Sequence, residues 1–79
     1  TEERRKALVK QSKNEGENAK VRIRTIRKDT NEGLKKLQKD GAAEDEVKKA
    51  EDIVQKMTDE HIVKIDQLIN AKEKELLTV

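Results

Sequence analysis

Cysteine, proline and aromatic residues are all missing from this chain, and glycine occurs only three times in 79 positions. Without cysteine there is no disulfide scaffold, no thiolate-ligated zinc and no thiol nucleophile. A single histidine, His61, builds no histidine cluster, so no metal and no cofactor is expected. The missing aromatics leave Leu, Ile, Val, Ala and one Met to make any core, with little area per side chain. They also remove the stacking platform that single-stranded bases require. Long apolar runs are lacking too. The longest is Ala7-Leu8-Val9, against the roughly 20 residues of a membrane-spanning helix, and no signal peptide is evident. The glycines at 16, 33 and 41 are too far apart for a phosphate loop. Carboxylate neighbours such as Asp59/Glu60 and Glu73/Glu75 fall on a polar helix surface with no cavity to raise a pKa. No enzyme is expected.

Charge is what the chain has in abundance, at 46% of residues. The net value of +2 hides an asymmetry: residues 1–40 carry 13 Lys/Arg against 7 Asp/Glu, and residues 41–79 carry 6 against 10. A basic half followed by an acidic half points to a polyanionic partner for the first.

Apolar and small residues recur in steps of three and four. In the first half they are Leu8, Ser12, Gly16, Ala19, Ile23, Ile26, Thr30, Gly33/Leu34 and Leu37, an arc of about 120° on a helical wheel. Thr1 ahead of Glu2 and Glu3 reads as an N-cap, and Gly41 as a stop. The pattern predicts a helix over about 2–40, a turn over about 40–43 and a second helix over about 44–77, opened by Glu44, Asp45 and Glu46. So short a turn makes the helices antiparallel neighbours. The fold class is therefore all-α, an antiparallel two-helix hairpin. The second helix carries Val47, Ala50, Val54, Met57, His61, Ile62, Ile65, Leu68, Ile69 and Leu76 over about 140°. One partner fills a narrower seam than that. Completion by a third helix or by a second copy of the hairpin is expected, the isolated chain most simply as a homodimer. His61 reads as a seam residue. Gly16 and Gly33 read as points of close packing, each costing on the order of 1 kcal/mol in helix propensity relative to Ala; a flexible joint is the alternative.

The stretch V-R-I-R-T-I-R-K-D, residues 21–29, holds four cations in seven positions. On the wheel Ile23 and Ile26 fall on the apolar side, and Arg24, Arg27 and Lys28 cluster beside it. Lys6, Lys10, Lys13, Lys20, Lys35 and Lys39 extend that cluster within an arc of roughly 120°, interrupted squarely only by Glu17. Such a ridge, about 50 Å long, suits a phosphate backbone, where Lys and Arg displace counterions. A merely solvated face is the alternative. With no aromatics, recognition would be of RNA shape and backbone.

Several blocks, T-E-E-R-R-K at 1–6, V-R-I-R-T-I-R-K-D-T-N-E at 21–32, K-K-L-Q-K-D-G at 35–41, V-Q-K-M-T-D at 54–59 and K-I-D-Q-L-I-N-A-K-E-K-E-L at 64–76, resemble bacterial ribosome recycling factor in order and spacing across essentially the whole chain. The resemblance implies an L-shaped cytoplasmic protein with a three-helix bundle and a small β-rich domain inserted after its first helix. This chain would supply the two C-terminal helices of the bundle, in keeping with its non-Met start and over-wide apolar face. It implies binding to the ribosome and, with elongation factor G, dissociation of post-termination ribosomes. It also places the basic R-x-x-R-R motif, here Arg24, Arg27 and Lys28, against large-subunit ribosomal RNA; the helical wheel adds Lys20, Lys13 and Lys35 as RNA-binding candidates along the same face. The last Arg of that motif is Lys28 here, which keeps the charge but loses the planar fork. In place of the family's Ile-Ser before the acidic run stands Gly41-Ala42-Ala43, one residue shorter and without a capping hydroxyl. The competing expectation is a self-associating helical hairpin, an interaction module with no nucleic-acid role.

Overall fold

Thr1 caps the first helix: its Oγ1 accepts the Arg4 amide at 3.2 Å, and Glu2 and Glu3 complement the positive end of the helix dipole. In the computed structural model, which describes residues 1–78, α1 spans Glu2–Lys39 and α2 spans Glu44–Leu77. α1 stops at a Schellman motif. Gly41 takes a φ of 116°, its amide bonds Gln38 O at 3.1 Å, and the Ala42 amide bonds Leu37 O at 2.9 Å. Ala43 then adopts an extended N-cap conformation but has no side chain to cap α2.

The helices fold back as an antiparallel hairpin 61 × 15 × 7 Å in extent, with a radius of gyration of 18.0 Å. A compact domain of this length has about 12 Å, so the molecule is a rod without a three-dimensional interior. Register is set by one steric fit and two ion pairs. A Cβ built on Gly16 would lie 2.7 Å from Ile69 Cγ1 and closer still to its Cδ1; the glycine lets Ile69 rest on the α1 backbone. Lys13 meets Glu73 at 3.3 Å, and Lys20 meets Asp66. Seven residues on along α1 is thus seven back along α2.

Burial departs from the wheel in phase. The buried line of α1 runs through Val9, Ser12, Gly16, Ile23 and Leu34, and that of α2 through Val47, Val54, Thr58, Ile62, Ile65, Ile69 and Leu76. Val47 and Thr58, each 5% exposed, are the most enclosed side chains. Leu8, Ile26 and Leu37, expected in the same inner arc, stay open, as do Met57 and Leu68, the last 70% exposed. His61 is not in the seam either: it is exposed, and its Nδ1–H donates to Met57 O at 2.7 Å. The close approach at Gly16 turns α1 so that half of each apolar arc faces the other helix. The remaining halves line an open groove along one side of the hairpin, with Ile26, Thr30, Met57 and His61 on its walls.

Among the described residues no helix is long and apolar enough to cross a membrane. No group of His, Asp or Glu among them is arranged to hold a metal ion.

Candidate nucleic-acid interface

Most cationic residues of the α1 ridge lie on the side of the contact line opposite the groove, with Arg27 at the boundary. Their positions follow from helical spacing alone: Lys6, Lys10, Lys13, Arg24, Lys28, Lys35 and Lys39 are all exposed, and Arg and Lys stems reach outward from a straight helix with few neighbours. The six expected site residues do not behave alike, however.

Arg24, Lys28 and Lys35 are exposed and have no carboxylate within ion-pairing distance among the described residues. Their charge is fully available to an outside anion. Lys13 is exposed but shares its charge with Glu73. Lys20 is different again. Its side chain is only 12% exposed and is held between Asp66 across the hairpin and Glu17 one turn back, at 3.3 Å from the latter. The hydrogen bond to Asp66 raises the Lys20 pKa above the ordinary 10.5, partial burial opposes this, and Glu17 adds to the rise. Lys20 works as a structural cation that fixes register, and the ridge has a neutralised point there.

Arg27 stands at the boundary. By the seven-residue register its partner in a third ion pair would be Asp59, but Asp59 instead accepts from Gln55 Nε2 at 3.0 Å. Arg27 is half-buried and reaches into the groove beside Ile26 and Met57. Its guanidinium therefore has no carboxylate partner among the described residues. A planar cation fixed by packing along its stem loses less side-chain freedom on gripping a phosphate than a freely swinging one.

The result is a surface with a graded charge. A neutralised segment at Lys13 and Lys20 is followed towards the turn by an uncompensated one at Arg24, Arg27, Lys28 and Lys35, which continues to Lys39. Wheel reasoning alone misses the two carboxylates that divide it. A signal for them is present in the sequence: Lys13 and Lys20 are seven apart, as are Asp66 and Glu73, which is the spacing of an antiparallel ion-pair ladder.

Comparison with known proteins places this geometry in context. Residues 1–77 match the model of the ribosome recycling factor family. Over 79 residues the chain is 65% identical to the ribosome-recycling factor of Cytophaga hutchinsonii and 60% identical to that of Amoebophilus asiaticus. Over 80 aligned positions it is 54% identical to that of Paracidovorax citrulli. All of this chain is covered in each comparison, but it spans only 42 to 43% of the relatives' own length.

Proposed function

Because this chain belongs to the ribosome recycling factor family, we propose that it is part of such a factor's helical-bundle domain and that its cationic ridge lies against large-subunit ribosomal RNA. In the whole factor the groove receives the third helix of the bundle, and the rod-like arm holds the protein in place on the ribosome. Together with elongation factor G, the factor then dissociates the post-termination ribosome in the cytoplasm. The chain contributes no catalytic group to this work. Its part is to position a stiff body by contacts to phosphates.

The observation that carries the reading is the uncompensated segment. Arg24, Arg27, Lys28 and Lys35 follow one side of α1 with no carboxylate in ion-pairing reach among the described residues, although α2 is rich in acids. A solvated face built only for solubility mixes its signs. The spacing of the cations along about 17 Å of helix matches a run of phosphates, and each one engaged releases counterions. Arg24 and Arg27 supply the bidentate grips.

The test is salt-dependent binding to large ribosomal subunits by the intact factor, with and without Arg24→Ala plus Arg27→Ala. The double variant is expected to bind at least about tenfold more weakly, with a shallower dependence on salt. Equal affinity and equal slope would overturn the proposal and leave a hairpin whose charges serve solubility.

A further inference from the structure

We infer that the 79-residue chain by itself forms a two-fold symmetric dimer through the open groove, with α1 against α1 and α2 against α2 of a second copy, antiparallel in both cases. This goes beyond the ribosomal reading and does not depend on it, because the rim charges that it uses are not among the cations of the ridge, of which only Arg27 reaches the groove.

The need for an occupant is plain from exposure. Ile26, Ile53, Met57 and Leu68 are 63, 58, 53 and 70% exposed and lie on one side of the hairpin. What identifies the occupant is that α1 is self-complementary in charge along that side. On α1, Glu15, Arg22, Asp29 and Lys36 fall within an arc of about 60° at the rim of the groove; all four are exposed, and none is in an ion pair among the described residues. Their signs read minus, plus, minus, plus. When a second α1 is laid antiparallel, Arg22 of each copy meets Asp29 of the other, and Glu15 meets Lys36. Both pairings share one centre, between Thr25 and Ile26, which brings the two Ile26 side chains together at the axis.

On α2 the same two-fold operation matches apolar residues at two pairs of positions. Antiparallel pairing about a centre between Glu60 and His61 sets Ile53 against Leu68 and Ala50 against Ala71. Met57 falls against Lys64, whose aliphatic stem can cover it while the ammonium stays in water. The one like-charged pair, Glu46 with Glu75, falls at the ends, where solvent screening makes repulsion weak.

The hairpin register fixes the centre on α2 from the one on α1. Lys20 is paired with Asp66, so five and a half residues further along α1 stands beside five and a half residues earlier in α2. The first is the centre between Thr25 and Ile26, and the second is the centre between Glu60 and His61. One two-fold axis perpendicular to the rod therefore satisfies both helices, which is what an isologous interface demands. The product is a four-helix bundle with its turns at opposite ends.

The experiment uses sedimentation equilibrium and cross-linking on the 79-residue chain. The unaltered chain is expected to be a dimer. Arg22→Glu sets two like-charged pairs across the axis and should weaken the dimer about tenfold. Adding Asp29→Arg to it swaps the pair and should restore affinity to within about threefold. Since the chain has no cysteine, Ile26→Cys and His61→Cys each provide a unique thiol beside the axis. Both should self-link through a short bifunctional reagent, whereas Ala42→Cys, at the turn, should not. A monomer at every concentration overturns the inference and leaves the groove to a helix from outside these residues. Efficient self-linking at Ala42 with none at Ile26 overturns it in favour of turns at the same end. Failure of the charge swap to restore the dimer overturns the assigned register. None of these outcomes alters the ribosome-binding test, which reads different substitutions, at Arg24 and Arg27, in the intact factor.

Discussion

Ile69 of α2 occupies the space that a side chain at position 16 of α1 would need, and Gly16 leaves it empty. That relationship sets how closely the helices approach and which way α1 is turned. It also separates the two helical glycines, which look alike in sequence. Gly33 has nothing within 4 Å of its would-be Cβ.

Opposite effects are therefore expected from the same substitution. Gly33→Ala should stabilise the hairpin by roughly 0.5 to 1 kcal/mol through helix propensity. Gly16→Ala gains the same propensity but forces Ile69, a residue stiff at χ1, out of its place at a cost of about 1 to 3 kcal/mol. Thermal unfolding followed by circular dichroism should show a raised midpoint for the first and a lowered one for the second. A raised midpoint for both would show that the approach at Gly16 is not tight.

The α2 N-terminus lacks a cap that the local sequence is ready to use. Ala43 already has the extended N-cap conformation, and Glu46 stands three residues on, where a capping box places its acid. Ala43→Ser should add about 1 kcal/mol, measured in urea unfolding, and should slow amide exchange at Glu46.

Lys20 gives the fold a dependence on alkaline pH. Its pKa is raised in the folded chain, chiefly by Asp66. The stabilisation is therefore complete below the ordinary lysine value and is lost as pH climbs through the raised one. Urea midpoints should fall as pH rises above the ordinary lysine value of 10.5, and fall less steeply in Lys20→Met, which has no ammonium to lose. Identical pH profiles would mean that the Lys20–Asp66 pair contributes nothing.

The hairpin and its surplus of apolar face were legible in the sequence, but which residues of each arc meet the other helix was not. Three-and-four periodicity, Thr1 and Gly41 are local signals, and each does in the structure what its chemistry predicts. The split of the apolar arcs is not local. Hydrophobicity says that Ile23 and Ile26 should both leave water, but not that Ile23 meets α2 while Ile26 waits for another surface. Thr58 is enclosed although polar, because its Oγ1 donates to Val54 O at 2.7 Å. His61 points the other way for a similar reason: the Met57 carbonyl satisfies its ring from outside the seam. Among the cations, sequence gave the face, but the partners that tie up Lys13 and Lys20 depend on register.

That division predicts unequal contributions to RNA binding. Lys28→Ala and Lys35→Ala, which remove free charges, should each lower the logarithmic salt slope by about one unit. Lys20→Ala should change it by much less, since Asp66 already claims the charge. Equal slopes for all three would show that the ion pair opens on binding.

The two ion pairs that cross the hairpin lie in the half of α1 remote from Gly41, and the other end is closed by the chain itself. Ionic strength weakens the first kind of closure and leaves the second untouched. Dissolved salt thus loosens only the ionic part of the remote end, and the Gly16–Ile69 contact between the two pairs stays in place. Amide exchange near Lys13 and Glu73 should quicken with added salt while that near Val47 holds steady.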